Sequence, residues 1–202
     1  MKTVRTRRVA RPLALAAVSV LVAACATFSP DGGFGAVETA ARERGVRQEI
    51  KWVKSGSDGE DARSAVKTLL SGPLTADDAV QVALFNNRGL QATYSELGIA
   101  ESDLVQAGRL TNPGFSFERL HRADAVSIER TFLFDVLGLI TMPVRTDIER
   151  RRFAVTQNRV AAELLQVTAD TRRAWSRAVA AREAVRNRKQ VEAATEASPV
   201  RQ

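Results

Sequence analysis

Few side chains in this sequence carry reactive chemistry, and their spacing limits what they can do. Cys25 is the only thiol and His121 the only imidazole in 202 residues, so neither a disulfide nor a cysteine–histidine zinc site can be assembled. His121 falls in His121-Arg122-Ala123-Asp124-Ala125, a polar loop between two apolar runs, where a lone imidazole is a solvated side chain. Carboxylates pair at Asp77-Asp78 and cluster at Asp58, Glu60 and Asp61, as general acid–base groups would. Each set opens a helical pattern, however, and there acids offset the positive end of a helix dipole. Gly32-Gly33-Phe34-Gly35 lacks the Lys-Ser/Thr of a phosphate loop and the strand-to-helix setting of a dinucleotide fold. Nothing scaffolds a Ser-His-Asp arrangement. The sequence predicts no enzyme: no catalytic residue, no metal site and no cofactor.

The thiol stands apart from these. It follows a basic stretch, residues 1–11, and an apolar run of twelve from Pro12 to Ala23. A bilayer-spanning helix needs about 20 apolar residues, so this run has the proportions of a secretory signal peptide at 1–24. Leu21-Val22-Ala23-Ala24-Cys25 resembles a bacterial lipobox, in which small residues precede the cysteine that receives acyl-glycerol through its sulfur. That resemblance implies palmitate-type lipidation of Cys25 and, with Ala26 rather than Asp following, delivery to the outer membrane. Ordinary cleavage at the small-x-small site Ala24-Cys25-Ala26 is the other reading of the same residues.

Net charge is +7, which alone points to nucleic acid or an anionic surface. The distribution removes that implication. Lys2, Arg5, Arg7, Arg8 and Arg11 lie in the leader without an acid, and residues 25–144 are net −4. Residues 145–189 carry 12 basic and 5 acidic groups, so the basicity is confined to one late segment. An exported chain does not meet DNA, and no nucleic-acid partner is expected. Aromatics at 5% provide no base-stacking platform either.

The elements that must position these groups follow from periodicity. Residues 25–35 read as a lipid anchor and flexible tether, interrupted by Pro30, Gly32, Gly33 and Gly35. Residues 36–72 form a small N-terminal segment: a helix over Ala36–Arg44, a short strand at Gln48–Lys54 and a second helix over Glu60–Leu70. Thr75 is an N-cap with Asp77 and Asp78 behind it, Asn86-Asn87 breaks the helix, and helical spacing resumes from Leu90 to Val105. Asn112-Pro113-Gly114 then turns the chain into two strands, Phe115–Leu120 and Val126–Asp135. In the second, Val126, Ile128, Arg130, Phe132 and Phe134 share one face. Its length matches the ~9–11 residues of a tilted transmembrane strand. A half-buried strand of a soluble sheet fits the same alternation, and Arg130 on the apolar face weighs against direct lipid contact.

After Met142-Pro143 a helix extends to about Lys189 without internal Pro or Gly. Some 45 residues would reach about 68 Å, the scale of a coiled coil or helical tube. Phe153, Gln157, Val160, Leu164, Val167, Thr171, Ala174, Ala178, Ala181 and Val185 form one seam; Ile148, Val155, Ala162, Leu165 and Ala169 lie on a second. Two seams imply neighbours on both sides. Residues 190–202 read as an irregular tail.

Leu74-Thr75, Ala83-Leu84, Asn86-Asn87, Leu90-Gln91-Ala92, Gln106-Ala107-Gly108 and Asn112-Pro113 occur in this order ahead of the strand pair. The series resembles the repeat of TolC-type outer membrane efflux proteins, over roughly residues 74–189. Arg88 and Thr111 stand where the family often has proline. The resemblance implies a mainly α fold with long coiled-coil-like helices and a two-stranded β-hairpin. This would be one helix–strand–strand–helix repeat of an α/β-barrel whose family members carry two and trimerise. It further implies an outer-membrane protein with periplasmic helices, serving as the passive exit duct of a tripartite system. Its partners would be a periplasmic adaptor, an inner-membrane pump and further copies of itself. A single repeat implies a half-length or truncated member. A periplasmic lipoprotein scaffold without a pore, or a nonfunctional fragment, are the alternatives.

Overall fold

The structure, a computed structural model, describes residues 27–122 and 125–197. It is mainly helical, with one two-stranded antiparallel sheet. In chain order the elements are α1 (Phe34–Glu43), α2 (Gly56–Leu69), α3 (Ala76–Asn86), α4 (Arg88–Ala107), β1 (Gly114–Arg122), β2 (Ala125–Leu133) and α5 (Val136–Ala197). Two compact units divide them, Gly33–Leu97 with Thr156 onward, and the chain up to Gly32 with Gly98–Val155. Residues 36–72 fall in the same unit as the helices that directly follow them.

Local sequence explains the helix ends of the first of these units. Ser55 and Thr75 each close a capping box: the hydroxyl accepts from the backbone N–H of Asp58 or Asp78, whose carboxylate accepts from the cap residue's N–H. These hydrogen bonds hold both carboxyls below their ordinary value, the hydroxyl of Ser55 or Thr75 being the first cause. Helix α1 ends in a Schellman motif, with Val46 N–H donating to the Ala41 carbonyl and Gly45 N–H to that of Arg42. Gly45 has φ 87°, a conformation that a side chain disfavours. Val46 and Ala41 are buried beside it, as that motif requires.

The core of this unit contains Val37, Val80, Leu84, Leu90, Tyr94, Leu97, Val160 and Leu164. Phe34 lies edge-on to the Tyr94 ring at 5.0 Å between centroids. The α5 residues are tied to it by polar bonds as well. Thr93 donates to Glu163 at 2.8 Å, Trp175 Nε1 to the Leu74 carbonyl at 2.9 Å and Arg172 to Asp77 at 3.0 Å. Arg159 pairs with Glu96.

Four expectations are corrected. The strand foreseen at Gln48–Lys54 is extended but has no strand partner; glutamine side chains from α3 and α4 take the partner's place. The tether foreseen at 25–35 is fastened in its described part. Ser29 donates to buried Glu101 in one unit, and Phe34 opens a helix packed on Tyr94 in the other. The long helix begins before Met142-Pro143 rather than after it: Asp135 Oδ1 accepts from Gly138 N–H at 2.7 Å, capping a helix that carries Pro143 within it. A single proline removes one backbone bond, and the helix continues through it with that one bond missing. Finally, the tail foreseen at 190–202 is helical through Ala197, and 198–202 lie outside the described residues.

Candidate functional site

The unit containing the hairpin has little interior of its own. Among its described residues only Glu101, Val105 and Ala107 are buried, and Glu101 is satisfied by the N–H and hydroxyl of Ser29. Thr146 donates to the Ala107 carbonyl at 3.1 Å, and Thr111 to Asp135 at 3.3 Å.

The two strands pair over their whole length, Gly114 opposite Leu133 through Arg122 opposite Ala125. This register sorts the side chains by face. Phe115, Phe117, Arg119 and His121 share one face with Phe132, Arg130, Ile128 and Val126. Ser116, Glu118 and Leu120 share the other with Thr131, Glu129 and Ser127. The apolar face is uncovered: Phe115, Phe117, Val126, Ile128 and Phe132 are each more than half exposed. The Phe115 and Phe132 rings meet at 4.8 Å between centroids. Exposed apolar side chains continue at Phe134 and along the first turns of α5, at Val136, Leu137, Leu139, Ile140 and Val144. Each strand also leaves one edge without a partner among the described residues.

A hairpin standing alone is marginal in water, and apolar patches this extended mark contact surfaces. Starting the helix at Pro143 hid the second half of this surface from the sequence reading. Asp135 with Gly138 behind it was the available signal, an N-cap residue just past the strand.

The other sequence-singled residues fall as follows. Cys25 lies outside the described residues, as does Asp124. His121 is exposed near the hairpin tip. Asp78 and Asp58 serve as capping-box carboxylates, Asp77 accepts from Gln48 and Arg172, and Lys51 bridges Asp58 and Asp61. Among the described residues no group of three His, Cys, Asp or Glu could hold a metal ion. A charged cleft of about 560 Å³ lies beside α4 and α5, where Asp103, Arg145, Glu149 and Arg152 approach Gln106 and Ile148. Arg152 and Glu149 pair there at 2.6 Å.

On α5 the first seam is covered from Phe153 to Thr171, with Val160 and Leu164 fully buried, and is exposed from Ala174 onward. The second is largely open, with Val155, Ala162 and Ala169 exposed. No described helix is long and apolar enough to cross a membrane. Comparisons with family models, with curated proteins and with solved structures return no match for this chain.

Proposed function

We propose that the chain is a lipid-anchored outer-membrane efflux component of the TolC type, contributing one helix–strand–strand–helix repeat to a passive export duct. The observation that carries this reading is the hairpin with an uncovered apolar face and two open edges, flanked by helices in the family's order. In a closed barrel the edges pair with other copies, the apolar face meets lipid and the Glu118–Glu129 face meets water. Burying one such phenylalanine is worth roughly 1.5–3 kcal/mol, so several together offset the ordering of a marginal sheet. Arg119 and Arg130 on that face each stand one residue from the middle of their strand, so a neighbouring copy, not lipid, has to cover them.

The open seam of α5 supports the helical half of the reading, since a tube wall needs a neighbour on each side of every helix. Selectivity then comes from wall charge and constriction, and energy from a separate pump and its adaptor. Membrane fractionation, sizing in detergent and planar-bilayer recording test it. Outer-membrane location, carbonate resistance, an oligomer and discrete conductance steps are expected, with palmitate labelling abolished by Cys25→Ser. A monomer without conductance overturns the duct and leaves a lipoprotein scaffold.

A further inference from the structure

A different surface, in the unit built on Gly33–Leu97, is independent of the export reading. A pocket of about 350 Å³ is walled by Val53 of the extended segment, Ala62 and Val66 of α2, and Phe85 of α3. That volume lies within the ~300–1,000 Å³ range of small-molecule sites. Ala62 is buried, while Val53, Val66 and Phe85 are only half-buried, so the apolar lining stays open to an occupant.

Two cations belong to the same lining, Arg63 of α2 and Arg88 at the start of α4. A Cβ on Gly59 would lie 3.6 Å from both Arg63 Nη1 and Val53 Cγ1, so both side chains border the space beside Gly59. Neither arginine is among the ion pairs of the described residues, and the nearby carboxylates of Asp58 and Asp61 are engaged by Lys51 at 3.4 Å. Arg88 opens a 20-residue helix directly after α3 ends at Asn86, so the two helix-end charges offset each other and the guanidiniums supply the positive charge of the pocket. The wall is also held in place: Val53 N–H donates to Gln91 Oε1 and Gln91 Nε2 donates to the Lys51 carbonyl, each at 2.9 Å.

We infer that this pocket binds a compact amphipathic anion of the aromatic carboxylate class. The ring system occupies the space between Phe85 and Val66, and the carboxylate accepts from the guanidiniums of Arg63 and Arg88. A planar fork donor and a carboxylate match in geometry as well as charge. A neutral ring of the same shape gains only the apolar contact, and a cation is repelled.

The test uses the full chain in a nonionic detergent, methyl-labelled on valine, titrated with 2-naphthoate, 2-naphthamide and 2-naphthylmethylammonium. Expected is saturable 2-naphthoate binding with shifts centred on Val53 and Val66, at least tenfold weaker for the amide and absent for the ammonium. Arg63→Gln and Arg88→Gln, both at exposed positions, should each weaken 2-naphthoate about tenfold. The exposed Arg186→Gln should not change it. Val66→Trp should abolish binding by filling the pocket, with circular dichroism confirming the fold. Equal affinity for all three probes, or shifts spread over the hairpin instead of the two valines, overturns the site. So does indifference to both arginine substitutions.

Discussion

Gln81 and Glu49 are joined as two strands would be: the Glu49 N–H donates to Gln81 Oε1 at 2.8 Å, and Gln81 Nε2 donates to the Glu49 carbonyl at 3.0 Å. Gln91 repeats the device across Lys51 and Val53. A primary amide has the donor and acceptor of a peptide group, so two helical glutamines satisfy a strand-like segment that has no sheet to join. Gln91→Leu should cost about 1–3 kcal/mol, because it strands a part-buried N–H and carbonyl. Gln81→Leu should cost less, about 0.5–1.5 kcal/mol, since its two bonds are exposed and water replaces them. Denaturant titration gives the totals, and amide exchange at Val53 and Glu49 locates the loss.

Tyr94 is fully buried and its hydroxyl has no hydrogen-bond partner in the structure. Tyr94→Phe removes an unsatisfied group while keeping the ring that meets Phe34, so it should leave stability unchanged or raise it by about 1 kcal/mol. Its pH dependence is a second readout. Burial, and then the Glu163 carboxylate, raise the phenol above its ordinary value of 10.0. Folding therefore holds the proton more tightly than the unfolded chain does. The linked stability is complete below pH 10.0 and declines above it, as the unfolded phenol ionises first, by at most ~1.4 kcal/mol per pH unit. Thermal melts between pH 9 and pH 11 should show that added slope in the natural chain and not in Tyr94→Phe.

What could be read from the sequence was whatever depends on near neighbours. Thr75 with Asp78 three residues later specifies its own cap, and alternation from Val126 to Phe132 specifies a strand whichever partner it finds. The segment 48–54 reads as a short strand from its weak alternation. Its true partners are side chains some 30 to 40 residues away, which no local pattern announces. Arg63 and Arg88 share a pocket for the same non-local reason. For the proposed duct, alternation supplied the hairpin faces but could not say whether anything covers them.

Pro143 shows a local rule yielding to context. Its ring removes the backbone bond to the Leu139 carbonyl, and yet α5 runs from Val136 to Ala197 through it. Thr141 and Thr146 donate to the carbonyls of Leu137 and Met142 at 2.8 Å, adding local polar bonds on either side. Because the helix is already formed there, Pro143→Ala should stabilise it, by up to about 3 kcal/mol. Slower amide exchange from Leu139 to Asp147 is the expected signature; faster exchange would mean that the proline itself is needed to hold this turn of the helix.

Glu118 and Glu129 stand directly opposite each other on the polar face of the hairpin. Like charges so placed oppose pairing, and cross-strand pairs are worth roughly 0.2–1 kcal/mol either way. For a hairpin without a covered face that is a large share of its stability. Glu129→Lys turns repulsion into attraction and should slow amide exchange of Ser116 and Thr131 several-fold in the isolated chain. The double substitution Glu118→Lys with Glu129→Lys restores like charges and should return exchange to the natural rate. Raising salt to 1 M, where the screening length falls to about 3 Å, should shrink the difference between the variants. Equal exchange in all three proteins at low salt would mean that the two carboxylates do not feel each other across the strands. If the exchange differences disappear once the chain is in lipid, the hairpin is then held by contacts other than its own pairing, as a barrel strand would be.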